Sequence, residues 1–408
     1  MKKILKRTVI SVMAMCMISG NVNVEAVQEY QEDTKASIVQ DREGDYSEQE
    51  IEKINEMSED EESPCETEII RTSDNGKIAT QATKYTTRVH FIANGGQEII
   101  EDNEKKIARG DAILIENNGE YALIDAGVDS KCEKYLESLR KKRGLSKLKI
   151  KYMILTHHHN DHYNGLNSII ANPNIEIQTF IRQKNHDDIT ANKGCNKSGY
   201  KSLITKINNL NKAKTNFKNL EYIYTLNAKD AKTETKTVKK KIGDATLYIY
   251  RPFRLASDAD VAKKQPNQYE NNRSIMCRLE CGTRKYLFTG DVYNKIINRI
   301  VSYVSKDDAK KMLNTNVLKL QHHGIIINYI EHTKENANLK PNKETNDIYK
   351  NKYNASRYYI TNARTMDQLE EPEKFRNDMI RSVFGNRSDF LLTITANKTN
   401  IDEYSYTN

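Results

Sequence analysis

From Thr87 onward apolar and polar positions fall into short regular blocks; the residues before it show no such order. Residues 88–92, Arg-Val-His-Phe-Ile, read as a first strand. Residues 112–116 and 121–125 flank Asn117-Asn-Gly119 and predict a hairpin, because Asn-Gly tolerates the positive φ of a tight turn. Residues 132–142 carry Tyr135, Leu136 and Leu139 at helical spacing. The apolar run 152–155 predicts a strand, 166–171 the start of a helix, and 175–181 a returning strand. Leu203, Ile204, Ile207 and Leu210 form one apolar face of a helix over 198–210. Further strands are predicted at 245–250, 276–280, 286–289, 357–361 and 390–395, with a helix at 372–383 that begins near its Pro. Between Gly324 and Ser356 lies a polar excursion rich in Lys and Asn. Strands alternating with helices imply an α/β or α+β class, and periodicity alone goes no further.

Composition separates the two ends of the chain. Of 408 residues 37% are hydrophobic and 29% charged, and Trp is absent, which leaves too little apolar material for every part to join a core. Lys2, Lys3, Lys6 and Arg7 precede a mostly apolar run over 8–18, and Val24 and Ala26 occupy small-residue positions before Val27. Residues 1–26 therefore predict a secretory signal peptide; the apolar run is shorter than the ~20 residues of a spanning helix. Residues 27–83 hold 17 Asp and Glu against 5 Lys and Arg and predict a disordered acidic segment. Residues 84–408, the folded domain, then carry a positive excess larger than the +8 of the whole chain. Such an excess favours polyanionic partners such as nucleic acid, teichoic acid or an anionic membrane surface; Lys-rich composition also serves solubility alone. Cys277 and Cys281 lie four apart on one predicted strand, too distant to bridge, and the six cysteines suggest no disulfide framework.

The chemistry concentrates between Lys151 and Gly165, in KYMILTHHHNDHYNG. Thr156 ends the apolar run, and His157, His159, Asp161 and His162 follow within six residues. Imidazoles with a carboxylate suit zinc or a similar divalent ion. Alternate spacing puts His157 and His159 on one side of an extended loop, while Asp161 and His162, past the turn, can face a second ion. A structural zinc site generally closes its shell with Cys, and none lies nearby. A chance surface run of His is the plain alternative.

T-H-x-H-x-D-H after a strand resembles the signature of the metallo-β-lactamase superfamily, and three further motifs resemble that family in order. Tyr121-Ala-Leu-Ile-Asp125-Ala-Gly127 resembles its strand ending in a buried Asp. Tyr286-Leu-Phe-Thr-Gly-Asp291 resembles the strand whose terminal Asp bridges two metals. Val317-Leu-Lys-Leu-Gln-His-His-Gly324 resembles the strand with the last His ligand. The resemblance spans roughly residues 88–400 and implies an αββα sandwich, two mixed sheets face to face with helices outside. It implies two divalent ions, zinc or manganese, with His157 and His159 on the first, Asp161 and His162 on the second and Asp291 bridging. Two such ions lie about 3.5–4 Å apart and bring the pKa of a bound water to ~7. The last ligand is His323 or His322. A ligand His directly before Gly is the superfamily's habit and favours His323, leaving His322, with Asp161, as a catalytic candidate that contacts substrate or protonates the leaving group. Asp125 would be a buried carboxylate that orients the ligand loop.

The chain departs from the family in two places. A short G-Q-G-D-A loop is split here into Gly95-Gly-Gln97 and Gly110-Asp-Ala112 by a charged insert. A further His normally precedes the bridging Asp; here only His186 lies between the ligand loop and Asp291, its neighbours match no motif, and it reads as a surface residue. The first ion would then keep an open position. His90, His158 and His332 have no special spacing and read as structural or surface residues, and Asn271, Asn272 and Ser274 as turn formers.

F-T-G-D paired with L-K-L-x-H-H-G resembles a narrower branch: the metallohydrolase domain of ComEC-type competence proteins and exported phosphorylcholine esterases. Both act on phosphodiesters. The resemblance implies an exported binuclear hydrolase of phosphodiester bonds, in nucleic acid or in a phosphorylcholine or teichoic-acid type of substrate. One alternative is a β-lactamase or lactonase acting on small cyclic amides or esters, against which the missing third-motif His counts. Another is a non-catalytic binding protein, against which the intact ligands at the core positions count.

Overall fold

Apolar residues on both faces of most strands force the chain into layers. The computed structural model describes residues 46–59, 65–73, 84–101, 104–183, 197–215, 217–224, 226–227, 237–254, 270–294, 296–298, 306–324, 347–360, 390–392 and 398–407. The larger sheet runs, in spatial order, Cys65–Ser73, Lys398–Thr407, Lys84–Phe91, Ile113–Asn117, Glu120–Ile124, Leu148–Ile154, Ile175–Gln183 and Phe217–Ile223. The smaller runs Thr237–Ile242, Ala245–Tyr250, Met276–Cys281, Arg284–Phe288, Val317–Lys319, Arg357–Ile360 and Phe390–Leu392. Their inner faces make one core in which Phe91, Ile115, Ile124 and Ile181 meet Leu247, Leu279 and Phe288. Phe91 stacks on Tyr359 across the layers, ring centroids 3.7 Å apart. Helices Lys131–Lys142, Leu166–Ala171 and Lys197–Ala213 cover the outer face of the larger sheet. Helix Lys306–Leu313 and the π-helical turn Ile348–Tyr353 cover the smaller. The architecture is the αββα sandwich.

Strand direction positions the site. Glu120–Ile124 and Leu148–Ile154 are parallel in one sheet, and Arg284–Phe288 and Val317–Lys319 in the other. Open α/β sheets place ligands in the crevice beyond the carboxyl ends of their strands. All four candidate ligand motifs leave such ends.

The predicted hairpin closes through Asn118 and Gly119, both at positive φ, which suits the right-handed strand twist. The charged insert holds a small hairpin, Glu98–Glu101 with Glu104–Ile107. The expected disorder of the acidic segment is corrected over two stretches: Glu48–Glu59 is a helix, and Cys65–Ser73 is an edge strand parallel to Lys398–Thr407. A capping box explains the helix. Glu50 N donates to Ser47 Oγ at 3.2 Å, and Ser47 N donates to Glu50 Oε2 at 2.7 Å. Lys134 caps the other end by donating to the carbonyls of Ser58 and Glu59, and Ile54 is buried with Tyr46, Ala108 and Val128. One buried face and two caps hold a helix that charge counting alone dismisses. The predicted helix at 372–383, the signal peptide, and His186 and His332 lie outside the described residues. No described helix is long and apolar enough to cross a membrane.

The strand Lys398–Thr407 carries Asp402, fully buried, which accepts from Tyr286 Oη at 2.7 Å, Arg284 at 3.0 Å and Arg357 at 2.5 Å. Removing a buried charge strands its partners. Asp402→Ala is expected to cost about 3 kcal/mol in denaturant unfolding, with Asp402→Asn intermediate. Glu116 gives a pH signature. Burial pushes its carboxyl up, but His90 and Arg143 outweigh it and hold it at about 2 against an ordinary 4.5. A depressed carboxyl stabilises fully above its unfolded value and loses that as pH falls through its folded one. Wild type should therefore lose roughly 2 kcal/mol between about pH 4.5 and 2 that Glu116→Gln does not lose, read from unfolding midpoints across that window.

Candidate metal centre

Thr156 ends the central strand because Asp125 takes both of its donors: Thr156 N and Oγ1 each lie 2.8 Å from the Asp125 carboxylate. The same carboxylate accepts from His162 Nδ1 at 2.8 Å, which turns Nε2 of that ring inward. This is the place of an orienting carboxylate. Asn160–Tyr163 forms one helical turn that carries Asp161 and His162, and His162 Nε2 lies 3.7 Å from Asp161 Oδ2. Gly110 lets a second loop touch this one, since a Cβ there would meet Asp161 O at 2.3 Å.

The other sheet supplies the rest. After Arg284–Phe288, Gly290 adopts φ +55° and a Cβ on it would meet Ser274 Cβ at 2.8 Å; the turn presents Asp291. After Val317–Lys319, His322 and His323 both adopt positive φ, 44° and 50°. Residues with a Cβ rarely do so, and such strain collects at functional sites. The turn sends the two rings apart. His323 Nε2 lies 2.9 Å from Asp161 Oδ2 and 3.6 Å from Asp291 Oδ2. His322 Nε2 lies 3.5 Å from Asn271 Nδ2 and 3.8 Å from Asp291 Oδ2, its ring edge-on to Tyr293.

Asp291 stands at the centre. Its Oδ2 is 3.2 Å from His162 Nε2 and 3.9 Å from His157 Nε2. His157, His159, Asp161, His162, Asp291 and His322 have no solvent exposure. Burial, then His162 and His159, keeps His157 well below the usual imidazole range. Burial takes His159 and His322 down to about 3. Burial would lower His162 too, but Asp291, Asp161 and Asp125 outweigh it and hold that ring well above its usual value. Burial likewise opposes Asp291 and Asp111, which lift His323 to about 9. Burial pushes the Asp291 carboxyl up, yet His162, His323 and His322 hold it well below the ordinary range. Without metal, protons on imidazole compensate these buried carboxylates, and a divalent cation replaces them on binding.

The donor atoms fit such a cation. Asp161 Oδ1 and Asp291 Oδ1 are buried without a hydrogen-bond partner, and orphaned buried polar atoms call for an explanation. Asp161, His162, Asp291 and His323 bring one ligand atom each within 4.8 Å of the others. His157 Nε2 and His159 Nδ1 face each other at 3.1 Å, a spacing compatible with two bonds of about 2.0–2.1 Å to one ion. The structure thus gathers His157 with His159, and Asp161 with His162 and His323, around Asp291. His158 stays apart, buried with its Nδ1 2.9 Å from Glu270 Oε2, and His90 Nδ1 contacts Tyr135 Oη at 2.6 Å.

Three neighbours escaped the sequence reading. Ser274, taken for a turn former, lies 3.2 Å from His157 Nδ1 and accepts from Asp291 N at 3.1 Å. Asp111 Oδ1 lies 3.3 Å from His323 Nδ1. Lys319, fully buried, pairs with Asp111 Oδ2 and stands 3.8 Å from Asp291 Oδ1. Asp111 was visible in the split G-D-A loop, and Lys319 in L-K-L-x-H-H-G, but neither motif says which way a side chain turns.

Residues 108–179, from the Gly110 loop through Asp125 and the ligand loop, match the model of the metallo-beta-lactamase superfamily. Over those residues the chain is similar to that superfamily. The match supports a metal-dependent hydrolase. Similar solved structures include the metallo-beta-lactamase fold protein YhfI from Bacillus subtilis, 12% identical over 78% of this chain and 99% of that one, with TM-score 0.42. Human tRNase Z, short form, is 14% identical over 67% of this chain and 92% of its own, with TM-score 0.34. These likenesses carry no argument about activity. No curated protein matches the chain.

Zinc or manganese at ~100 times its dissociation constant should raise unfolding stability by about 2.7 kcal/mol per site occupied only in the native state. In His162→Ala the added metal should give a clearly smaller rise, measured by calorimetry with and without metal. An equal rise in that variant would place the ion elsewhere.

Proposed function

We propose that the chain is an exported binuclear metallohydrolase that cleaves phosphodiester bonds in an anionic polymer or a small phosphodiester, of the nucleic acid, phosphorylcholine or teichoic-acid kind. The observation that carries the binuclear reading is the position of Asp291, one buried carboxylate within 3.2–3.9 Å of imidazole nitrogens from both ligand groups. A bridging carboxylate requires that place. The choice of phosphodiester rests on the pairing of F-T-G-D with L-K-L-Q-H-H-G and on the positive excess of residues 84–408. Export rests on the signal-like first 26 residues.

A pair of divalent ions supplies an activated water and neutralises charge that develops on the phosphoryl oxygens. The chain's own groups do the rest. His157 and His159 would hold one side of the centre and Asp161, His162 and His323 the other, with Asp125 fixing the rotation of His162 through Nδ1. Asp161, buried beside His323, would also orient the attacking water by hydrogen bonding. His322 Nε2 lies 3.8 Å from Asp291 Oδ2, and burial outweighs that carboxylate and keeps the ring neutral. A neutral imidazole still donates one N–H, so His322 would steady the leaving oxygen.

The test uses the full chain loaded with zinc or manganese, against bis-p-nitrophenyl phosphate, p-nitrophenyl phosphorylcholine and single-stranded DNA. At least one should turn over, and His159→Ala and Asp291→Ala should each lower kcat/KM by ~10³ or more while the fold persists by circular dichroism. The preferred substrate separates esterase from nuclease. Turnover of a chromogenic lactam or a lactone, with no phosphodiester cut, would sink this reading.

A further inference from the structure

Two of the imidazoles grouped around Asp291 are steadied from behind by a carboxylate, and only one of these was anticipated. Asp125 holds His162 by Nδ1 at 2.8 Å. Asp111 stands in the same relation to His323, Oδ1 to Nδ1 at 3.3 Å. Asp125 is itself fixed by the two Thr156 donors. Asp111 has a different anchor. Its Oδ2 pairs with the ammonium of Lys319, whose side chain has no exposure and whose Nζ also donates to Gly290 O at 3.4 Å. Gly290 directly precedes Asp291, and Lys319 lies four residues before His323 on the chain. One ammonium thus ties together three loops: that of Asp111, that of Asp291 and that of His323.

We propose that Lys319 is a positioning residue that acts through Asp111 to hold His323 toward the second metal site and so sets the affinity of that site. The inference rests on the binuclear reading above. A salt bridge of no consequence would need only one contact. Here each carboxylate oxygen of Asp111 has its own task, Oδ2 on Lys319 and Oδ1 on His323, so the ammonium fixes the plane in which the imidazole is met. Released from Lys319, Asp111 has other company: its ligand atoms lie within 4.8 Å of those of Asp125 and His162. It would then compete with Asp125 for His162 or turn inward as a stray ligand. Partners that orient metal-bound imidazoles commonly change metal affinity by about 10–100-fold when removed.

The experiment titrates the full chain with zinc against a chromophoric chelator and counts bound ions by elemental analysis, for wild type, Lys319→Met, Asp111→Asn and the double variant. Asp111→Asn keeps the shape, so it remains informative if Lys319→Met folds poorly. Expected are one ion at near wild-type affinity and a second weakened by about 10–100-fold in each single variant, with the double variant no worse than the singles because the pair acts as one unit. With substrate, kcat should fall more than KM rises. Second-ion affinity within twofold of wild type in both single variants overturns the proposal. So does equal loss of both ions with a lowered melting temperature of the metal-free chain, which marks a purely structural pair. A wild type that binds no second ion overturns the binuclear reading and this inference together.

Discussion

The Asp291 carboxylate, wholly buried among four imidazoles, is the constraint on which the rest depends. An isolated carboxylate at that depth is costly, so it must be neutralised by protons or by cations. His162 and His323 supply the protons when no metal is bound, and carboxylates behind each ring keep those protons in place. The centre is therefore polar throughout and closed on the scale of a few ångström. Its carriers must be rigid, because a buried charge that drifts from its partners costs several kcal/mol.

The sandwich supplies that rigidity by dividing the work. One sheet delivers Asp125 and the loop from His157 to His162; the other delivers Asp291 and His323. Strand register holds the members of each half, and the apolar layer between the sheets, with Phe91 stacked on Tyr359, holds the halves to each other. The turns then take up local strain. His322 and His323 at positive φ, and Gly110 and Gly290 where no Cβ fits, are departures from local preference that the packed framework supports.

How much of this was legible in the sequence depends on the range of the interaction. His157 to His162 announce themselves because ligand type and local spacing share one short stretch, Asp291 only through the likeness of its strand to the superfamily's, and the hairpin through Asn118 and Gly119. The strands beside the centre were legible through runs of Val, Ile and Leu. Lys398–Thr407 was not: its value lies in pairing with residues more than three hundred positions away, which no local period encodes. Helix Glu48–Glu59 was hidden by its own acidity, although Ser47 and Glu50 form a capping box readable at close range. Asp111 and Lys319 were hidden for the opposite reason. Each sits in a recognised motif, but their mutual contact joins positions some two hundred residues apart.

The division between sheets has a thermodynamic consequence. Neither half alone assembles a complete ligand set, so metal affinity includes the free energy of holding the sheets in register, and bound metal returns that free energy as stability. Damage to the apolar layer between the sheets, at Phe91 or Tyr359, therefore weakens metal binding as well as folding. Damage to a ligand weakens metal binding and leaves the metal-free fold largely intact, provided the charge it compensated is removed with it. Fold and centre are coupled through the apolar layer, because the ligand set is complete only where the two sheets meet.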